Sequence, residues 1–179
     1  MKEKLYIDID NTISQTIKYV ICDGDFTNIN IRPKYDEITN PDLFSIYGKN
    51  VEYVWPKVFS SSHTFIRPML GAVNIINRLI DVYDVSFNTA REERFRNTTQ
   101  EWLDYYGLNN IKLKFTPSGK KYADSDNDTI IIEDNIMELK NVNSMKYAIL
   151  FNVPWSKTYA VDGNIKIVNS WKDIEGILL

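Results

Sequence analysis

The run Leu5-Tyr6-Ile7-Asp8-Ile9-Asp10-Asn11-Thr12 constrains this chain more than any other stretch. An apolar segment rich in β-formers begins almost at the N-terminus and ends in two carboxylates with one residue between them. Alternate residues of a strand point the same way, so Asp8 and Asp10 are expected to project together from its carboxyl end. Open α/β sheets bind their ligands at that end. Two like charges held so close are costly unless a cation or a shared proton relieves them. Taken alone, the pair also fits a strand that runs into a solvated polar turn. The rest of the chain decides between the two.

Strands and helices alternate along the outer parts of the sequence. Strands are expected at Lys4 to Asp8, Tyr83 to Phe87, Lys112 to Phe115, Thr129 to Ile132, Tyr147 to Phe151 and Ile165 to Val168. A helix is expected from Pro68 to Ile80, with Pro68 in the first turn and Ala72, Ile75, Ile76 and Leu79 at helical spacing. A second runs from Glu92 to Tyr106 and is closed by Gly107. A short one passes through Met137 and Leu139, and a last one spans Trp171 to Leu179. This alternation predicts an α/β, Rossmann-like fold: a mostly parallel sheet with helices on both faces. Residues 14–67 break the rhythm. They are rich in aromatics, punctuated by Pro33, Pro41 and Pro56, and too long for a plain loop. They read as a small helical cap inserted after the first strand, with residues 1–13 and 68–179 forming the core. Phe44, Tyr47 and Trp55 are candidates for a wall against which a substrate stacks, and each equally suits the cap's own core.

The 179 residues suffice for one domain with an insertion, and a hydrophobic content of 44% argues against disorder. A net charge of −3 argues against a broad contact with long nucleic acid. Cys22 and His63 are the sole residues of their types, which excludes cysteine-rich zinc sites and multi-histidine metal sites. Any bound metal must be held by oxygen, which points to Mg2+ or a similar hard cation. No apolar stretch approaches the ~20 residues of a membrane span, and no signal-peptide pattern is present. A cytoplasmic location is expected.

Three more polar groups fall at strand ends. Thr89 and Ala90 follow the second strand, where a hydroxyl and the amides of a starting helix would suit a phosphoryl oxygen; as a lone motif, Thr89 would be a helix cap. Glu133 and Asp134 emerge from an apolar strand as a second acidic pair. Lys120 and Lys121 lie in the loop between, a position usually given over to solvated surface.

In this order the elements resemble the haloacid-dehalogenase-like phosphohydrolases over nearly the whole chain. Asp8-Ile9-Asp10-Asn11-Thr12 is similar to that superfamily's first motif and Thr89 to its second. Lys120 or Lys121 resembles the third, and Glu133-Asp134 the fourth, with Glu133 where Asp is usual. Pro68-Met69-Leu70-Gly71-Ala72, Thr89-Ala90-Arg91-Glu92 and Ile149-Leu150-Phe151-Asn152-Val153-Pro154-Trp155 resemble the 5'(3')-deoxyribonucleotidase branch. The resemblance implies a phosphatase in which Asp8 is the nucleophile and Asp10 the general acid and base. Mg2+ would be held by Asp8, the Asp10 carbonyl, Glu133 and Asp134, and phosphate by Thr89, Ala90 and one of the lysines. The implied substrate is a nucleoside monophosphate. Another small phosphate ester, a polynucleotide end, or a non-catalytic phospho-ligand module are the alternatives. Receiver domains place their acidic pair and phosphorylated Asp in a different order. Toprim-type domains set a Glu before the DxD that is missing here.

Overall fold

The computed structural model describes residues 2–23, 33–39, 51–61, 65–156 and 163–179. Its strands are β1 (Lys4–Ile7), β2 (Asp84–Thr89), β3 (Lys112–Phe115), β4 (Thr129–Glu133), β5 (Tyr147–Phe151) and β6 (Ile165–Val168). Its α-helices are α1 (Thr16–Lys18), α2 (Val51–Ser61), α3 (Ala72–Val82), α4 (Arg96–Tyr105), α5 (Ile136–Lys140) and α6 (Trp171–Leu178). The strands form one sheet in the order β3-β2-β1-β4-β5-β6, and every neighbouring pair is parallel. The expected α/β, Rossmann-like sheet is present. Among the described residues, no helix is long and apolar enough to cross a membrane.

Alternation along the strands feeds two cores. Leu5, Ile7, Phe87, Ile130 and Ile132 pack on one side with Ile75, Ile76 and Leu79 of α3 and with Trp171 and Ile174 of α6. Tyr6, Ile131, Ala148 and Leu150 pack on the other with Tyr122, Ile136 and Leu139. A strand covered on both faces needs a continuous apolar run, and the three isoleucines of β4 supply it.

The register fixes where the chemistry can sit. Ile7 lies opposite both Phe87 and Ile132. The residues that follow are therefore delivered at one level: Asp8 from β1, Asn88 from β2 and Glu133 from β4. Strand order reverses around β1, the switch point at which doubly wound sheets open a crevice.

Two helix starts differ from the sequence expectation. Pro68 is not in a helix. It bridges Ser14, the Met69 amide donates to the Ile13 carbonyl at 2.6 Å, and Gly71 takes a left-handed φ of 84° before α3 begins at Ala72. The cost is avoided because glycine has no Cβ to clash there. Likewise β2 runs through Thr89, a 3-10 turn occupies Glu93–Phe95, and α4 starts only at Arg96. Thr89 and Ala90 therefore do not open a helix. Gly107, with φ 76°, closes α4 as expected.

Residues 14 and 68 leave and rejoin the core side by side. The Gln15 amide donates to the Arg67 carbonyl at 2.9 Å, and Gln15 Nε2 to the Pro68 carbonyl at 3.0 Å. Between them the described residues include α1, a π-helical turn (Tyr19–Asp23), a 3-10 turn (Tyr35–Glu37) and α2.

Candidate active site

Beyond β1 the backbone turns sharply, with the Ile13 and Ser14 amides both donating to the Ile9 carbonyl. Asn11 occupies the left-handed region at φ 61°, a conformation Asn tolerates better than most residues. Its Oδ1 accepts from the Ile17 amide at 2.8 Å and pins the start of the insertion. This turn presents Asp8 and Asp10 to a cleft of about 470 Å³, whose wall also includes Trp55, Ala90, Lys121, Glu133 and Asp134.

Asp8 is buried, as are Lys121, Glu133 and Asp134. Lys121 Nζ lies 2.5 Å from Asp8 Oδ1 and 2.7 Å from Glu133 Oε2. Glu133 Oε2 also accepts from the Tyr122 hydroxyl at 2.5 Å, and its Oε1 accepts from the Asp134 and Asn135 amides, each at 3.1 Å. Trp155 Nε1 donates to Asp134 Oδ2 at 3.0 Å. The carboxylates of Asp8, Glu133 and Asp134 can each place an oxygen within 4.8 Å of the other two. Burial, then the charge of Glu133, pushes the Asp8 carboxyl up to about 8 despite Lys121. Burial, then the charges of Glu133 and Asp8, raise Asp134 well above the usual range. Burial also opposes charge on Glu133 and Lys121, but their mutual attraction prevails, lowering the carboxyl and raising the ammonium.

With all three acids ionised, the cluster would carry two negative charges beyond the one ammonium, which a divalent cation would cancel. The donors are all oxygen, so the set suits a hard ion such as Mg2+. Glu133 provides that oxygen on a longer side chain than Asp.

Lys120 and Lys121 part company here. Lys120 is exposed and off the cleft wall, whereas Lys121 lies on it, so of the two lysines left open by the sequence only Lys121 reaches the acidic cluster. Asn88 Nδ2 donates to the Lys121 carbonyl at 3.1 Å. The buried Glu138 carboxylate accepts from the Gly119 amide at 2.9 Å and from the Ser118 hydroxyl. These bonds set the phase of the loop. Thr89 is buried, and its Oγ1 accepts from the Arg91 amide at 3.2 Å. Phe44 and Tyr47 lie outside the described residues. Trp55 is on the cleft wall, stacked on Phe59 with ring centroids 5.1 Å apart.

Asp10 has different partners. Arg91 Nε donates to its Oδ2 at 2.9 Å and Arg91 Nη2 to its Oδ1 at 2.7 Å. Thr16 Oγ1 donates to the same Oδ1 at 2.6 Å. Burial opposes its charge, yet the Arg91 guanidinium outweighs burial and holds the carboxyl below its usual value. The Asp10 carboxylate is thus turned to Arg91, and the acidic cluster comprises the other three acids. Arg91, Thr16, Tyr122 and Trp155 were not foreseen as parts of the site. Arg91, two residues past Thr89, and Trp155, at the end of the Ile149-to-Trp155 stretch, stood in motifs already singled out; Thr16 and Tyr122 gave no hint.

Solved structures share this architecture across nearly their whole length. The YfnB protein of Bacillus subtilis, described as a HAD-hydrolase and bound to magnesium, has TM-score 0.61 at 15% identity, covering 99% of this chain and 98% of that one. This is the haloacid-dehalogenase fold. A HAD family hydrolase from Deinococcus radiodurans R1 with bound phosphate and sodium has TM-score 0.59 at 12% identity, covering 99% and 97%. CbbY from Rhodobacter sphaeroides in complex with phosphate has TM-score 0.57 at 12% identity, covering 97% and 96%. No family model matches the sequence, and no curated protein matches it. In the HAD fold seen here, the acidic cluster and Lys121 sit at the carboxyl ends of the central strands.

Proposed function

We propose that this chain is a magnesium-dependent phosphomonoester hydrolase that works through an aspartyl-phosphate on Asp8. The observation that carries the reading is the buried Asp8 carboxylate, 2.5 Å from Lys121 Nζ and clustered with Glu133 and Asp134 at the switch point. A structural ion pair would be served by one acid. Three acids around one lysine leave, when ionised, an excess of negative charge that a divalent cation offsets, so that a phosphate ester can approach the nucleophile. The magnesium in YfnB and the phosphate in the Deinococcus and Rhodobacter structures support the same reading.

Asp8 attacks phosphorus, and the ester P–O bond breaks as Asp10 gives its proton to the departing oxygen. Water then attacks the phosphoryl group, passes a proton to Asp10, and the Asp8–phosphorus bond breaks to release phosphate. The Arg91 pair favours an ionised Asp10, which suits the second step. The phosphate dianion arriving beside Asp10 raises its proton affinity for the first. Lys121 neutralises charge on Asp8 and on the equatorial oxygens, with Thr89 and the Ala90 backbone beside them. Mg2+, held by Asp8, Glu133, Asp134 and the Asp10 carbonyl, would offset the repulsion between nucleophile and phosphate.

Residues 14–67 act as a cap that selects the substrate, since the core reads only phosphate. The paired ends of the insertion at Gln15, Arg67 and Pro68 support this division. Trp55 and Phe59 on the cleft wall favour a substrate with a planar group, and a nucleoside monophosphate or deoxynucleotide is the class proposed. The test is phosphate release from a panel of nucleoside monophosphates, sugar phosphates and nitrophenyl phosphate, with Mg2+ and with EDTA. Magnesium-dependent release, fastest on nucleotides, is expected. No release from any ester overturns the phosphatase reading, and preference for sugar phosphates overturns the nucleotide assignment.

A further inference from the structure

Arg91 is a buried guanidinium, its side chain 5% exposed, and it holds parts of three elements together. Two of its N–H groups form a fork on both oxygens of Asp10. Nη1 donates to Thr99 Oγ1 in α4 at 3.0 Å. The guanidinium carbon stands 4.3 Å from the ring centre of Phe59 in α2. Phe59 in turn packs on Phe95, with ring centroids 5.3 Å apart.

The acceptors of Asp10 are unequally filled. A carboxylate oxygen takes two hydrogen bonds. Oδ1 has both, from Thr16 Oγ1 and Arg91 Nη2. Among the described residues, Oδ2 has one, from Arg91 Nε. The fork fixes the plane of the carboxylate as well as its place, which a lysine, one point charge without a fork, cannot do. We propose that Arg91 is a positioning residue: it orients Asp10 so that Oδ2 meets the leaving oxygen, and through Phe59 it makes that orientation depend on how α2 is seated. The inference rests on the phosphatase reading above. It gives the insertion a second role, since α2 then supports the chemistry as well as forming the cleft wall.

The test compares wild type, Arg91→Lys and Phe59→Leu on an alkyl phosphate ester and on nitrophenyl phosphate. For Arg91→Lys, kcat on the alkyl ester should fall on the order of 10- to 100-fold, since a small misplacement of a catalytic group can cost that much. On nitrophenyl phosphate, whose leaving group needs little protonation, the fall should stay within about threefold. Both KM values should hold within about threefold, because Arg91 does not bind substrate in this scheme. Phe59→Leu should show the same pattern more weakly. A rise in KM with kcat kept, or equal falls on both esters in the rate of the first, acyl-phosphate-forming step, overturns the inference. A readout that needs no turnover stands beside it: the Arg91 Nε–H should give a slowly exchanging 15N–1H signal that is lost in Asp10→Ala. If wild type lacks that signal, the pair is not formed in solution and the inference is wrong. If the signal is present but no phosphate ester is hydrolysed, it is the underlying phosphatase reading that fails, and the inference falls with it.

Discussion

Asp8 and Asp10 line one cleft with a single residue between them, yet they sit in opposite electrical surroundings. Asp8 shares one ammonium with Glu133 and Asp134, and burial, then the charge of Glu133, pushes its carboxyl up to about 8. Asp10 has a guanidinium largely to itself and is held below its usual value. One half of the cleft is short of positive charge, and the other is balanced. In the proposed phosphatase, the under-compensated carboxylate would take up a cation and the phosphoryl group, and the paired one would be held in place for proton transfer. Neighbours in sequence thus become specialised by what the fold sets against them, here Lys121 on one side and Arg91 on the other.

The sharpest break in this comparison is between the two amide substitutions. Asp8→Asn should cut turnover by at least about 10⁴-fold on every substrate, since an amide fills the volume but cannot form the acyl-phosphate. Asp10→Asn should cost about 10²- to 10⁴-fold on alkyl esters and less on nitrophenyl phosphate. Steady-state rates on both ester types, with a check for accumulated phospho-intermediate, decide it. Similar losses in both variants across both esters would erase the distinction.

Next in size is the removal of the shared cation. Lys121→Met leaves Asp8 and Glu133 buried without their ammonium, and breaking a buried pair in this way costs about 3–5 kcal/mol. Urea unfolding at neutral pH should show this loss without metal and a much smaller one in excess Mg2+. A loss independent of Mg2+ would mean that the acidic half is not the metal site.

The pH dependence of stability should separate the halves again. A carboxyl whose folded value lies above its ordinary 3.8 contributes stability that is full below that value and is lost as pH rises through about 8. Metal-free protein should therefore lose several degrees of Tm between about pH 5 and 8 through Asp8, with Asp134 acting in the same direction. Asp10 and Glu133, held low, keep their stabilising charge throughout that window. Saturating Mg2+, which favours the ionised cluster, should flatten the curve. A metal-free Tm that rises across this range would contradict the assignment.

The smallest effect concerns the wall. Trp55→Ala should weaken nucleotide binding by about 1–3 kcal/mol while leaving hydrolysis of a small phosphate ester nearly unchanged. Equal losses on both would make Trp55 part of the packing around Phe59 and not a substrate contact.

The sheet was legible because each strand carries its own signal. The isoleucines of β4 and the apolar run of β1 are local patterns. The acidic pairs were legible because they stand at the ends of those runs. What could not be read is what depends on distant partners. Spacing to the acidic pair favours Lys121 over Lys120 only slightly; Asn88 and Glu138 separate the two across the fold. The bond from Arg91 to Asp10 spans 81 positions, and a periodic pattern has no means of encoding it. The start of α3 was misplaced because Pro68 suits a first turn locally, while the bridge to Ser14 holds it extended.

The most direct test of the central claim is a single turnover with a phosphate ester labelled at phosphorus, quenched in acid and digested. The account predicts label on the peptide that carries Asp8, dependent on Mg2+ and absent in Asp8→Asn. Rapid release of labelled phosphate with no label on that peptide, even when the second step is slowed in Asp10→Asn, would contradict it.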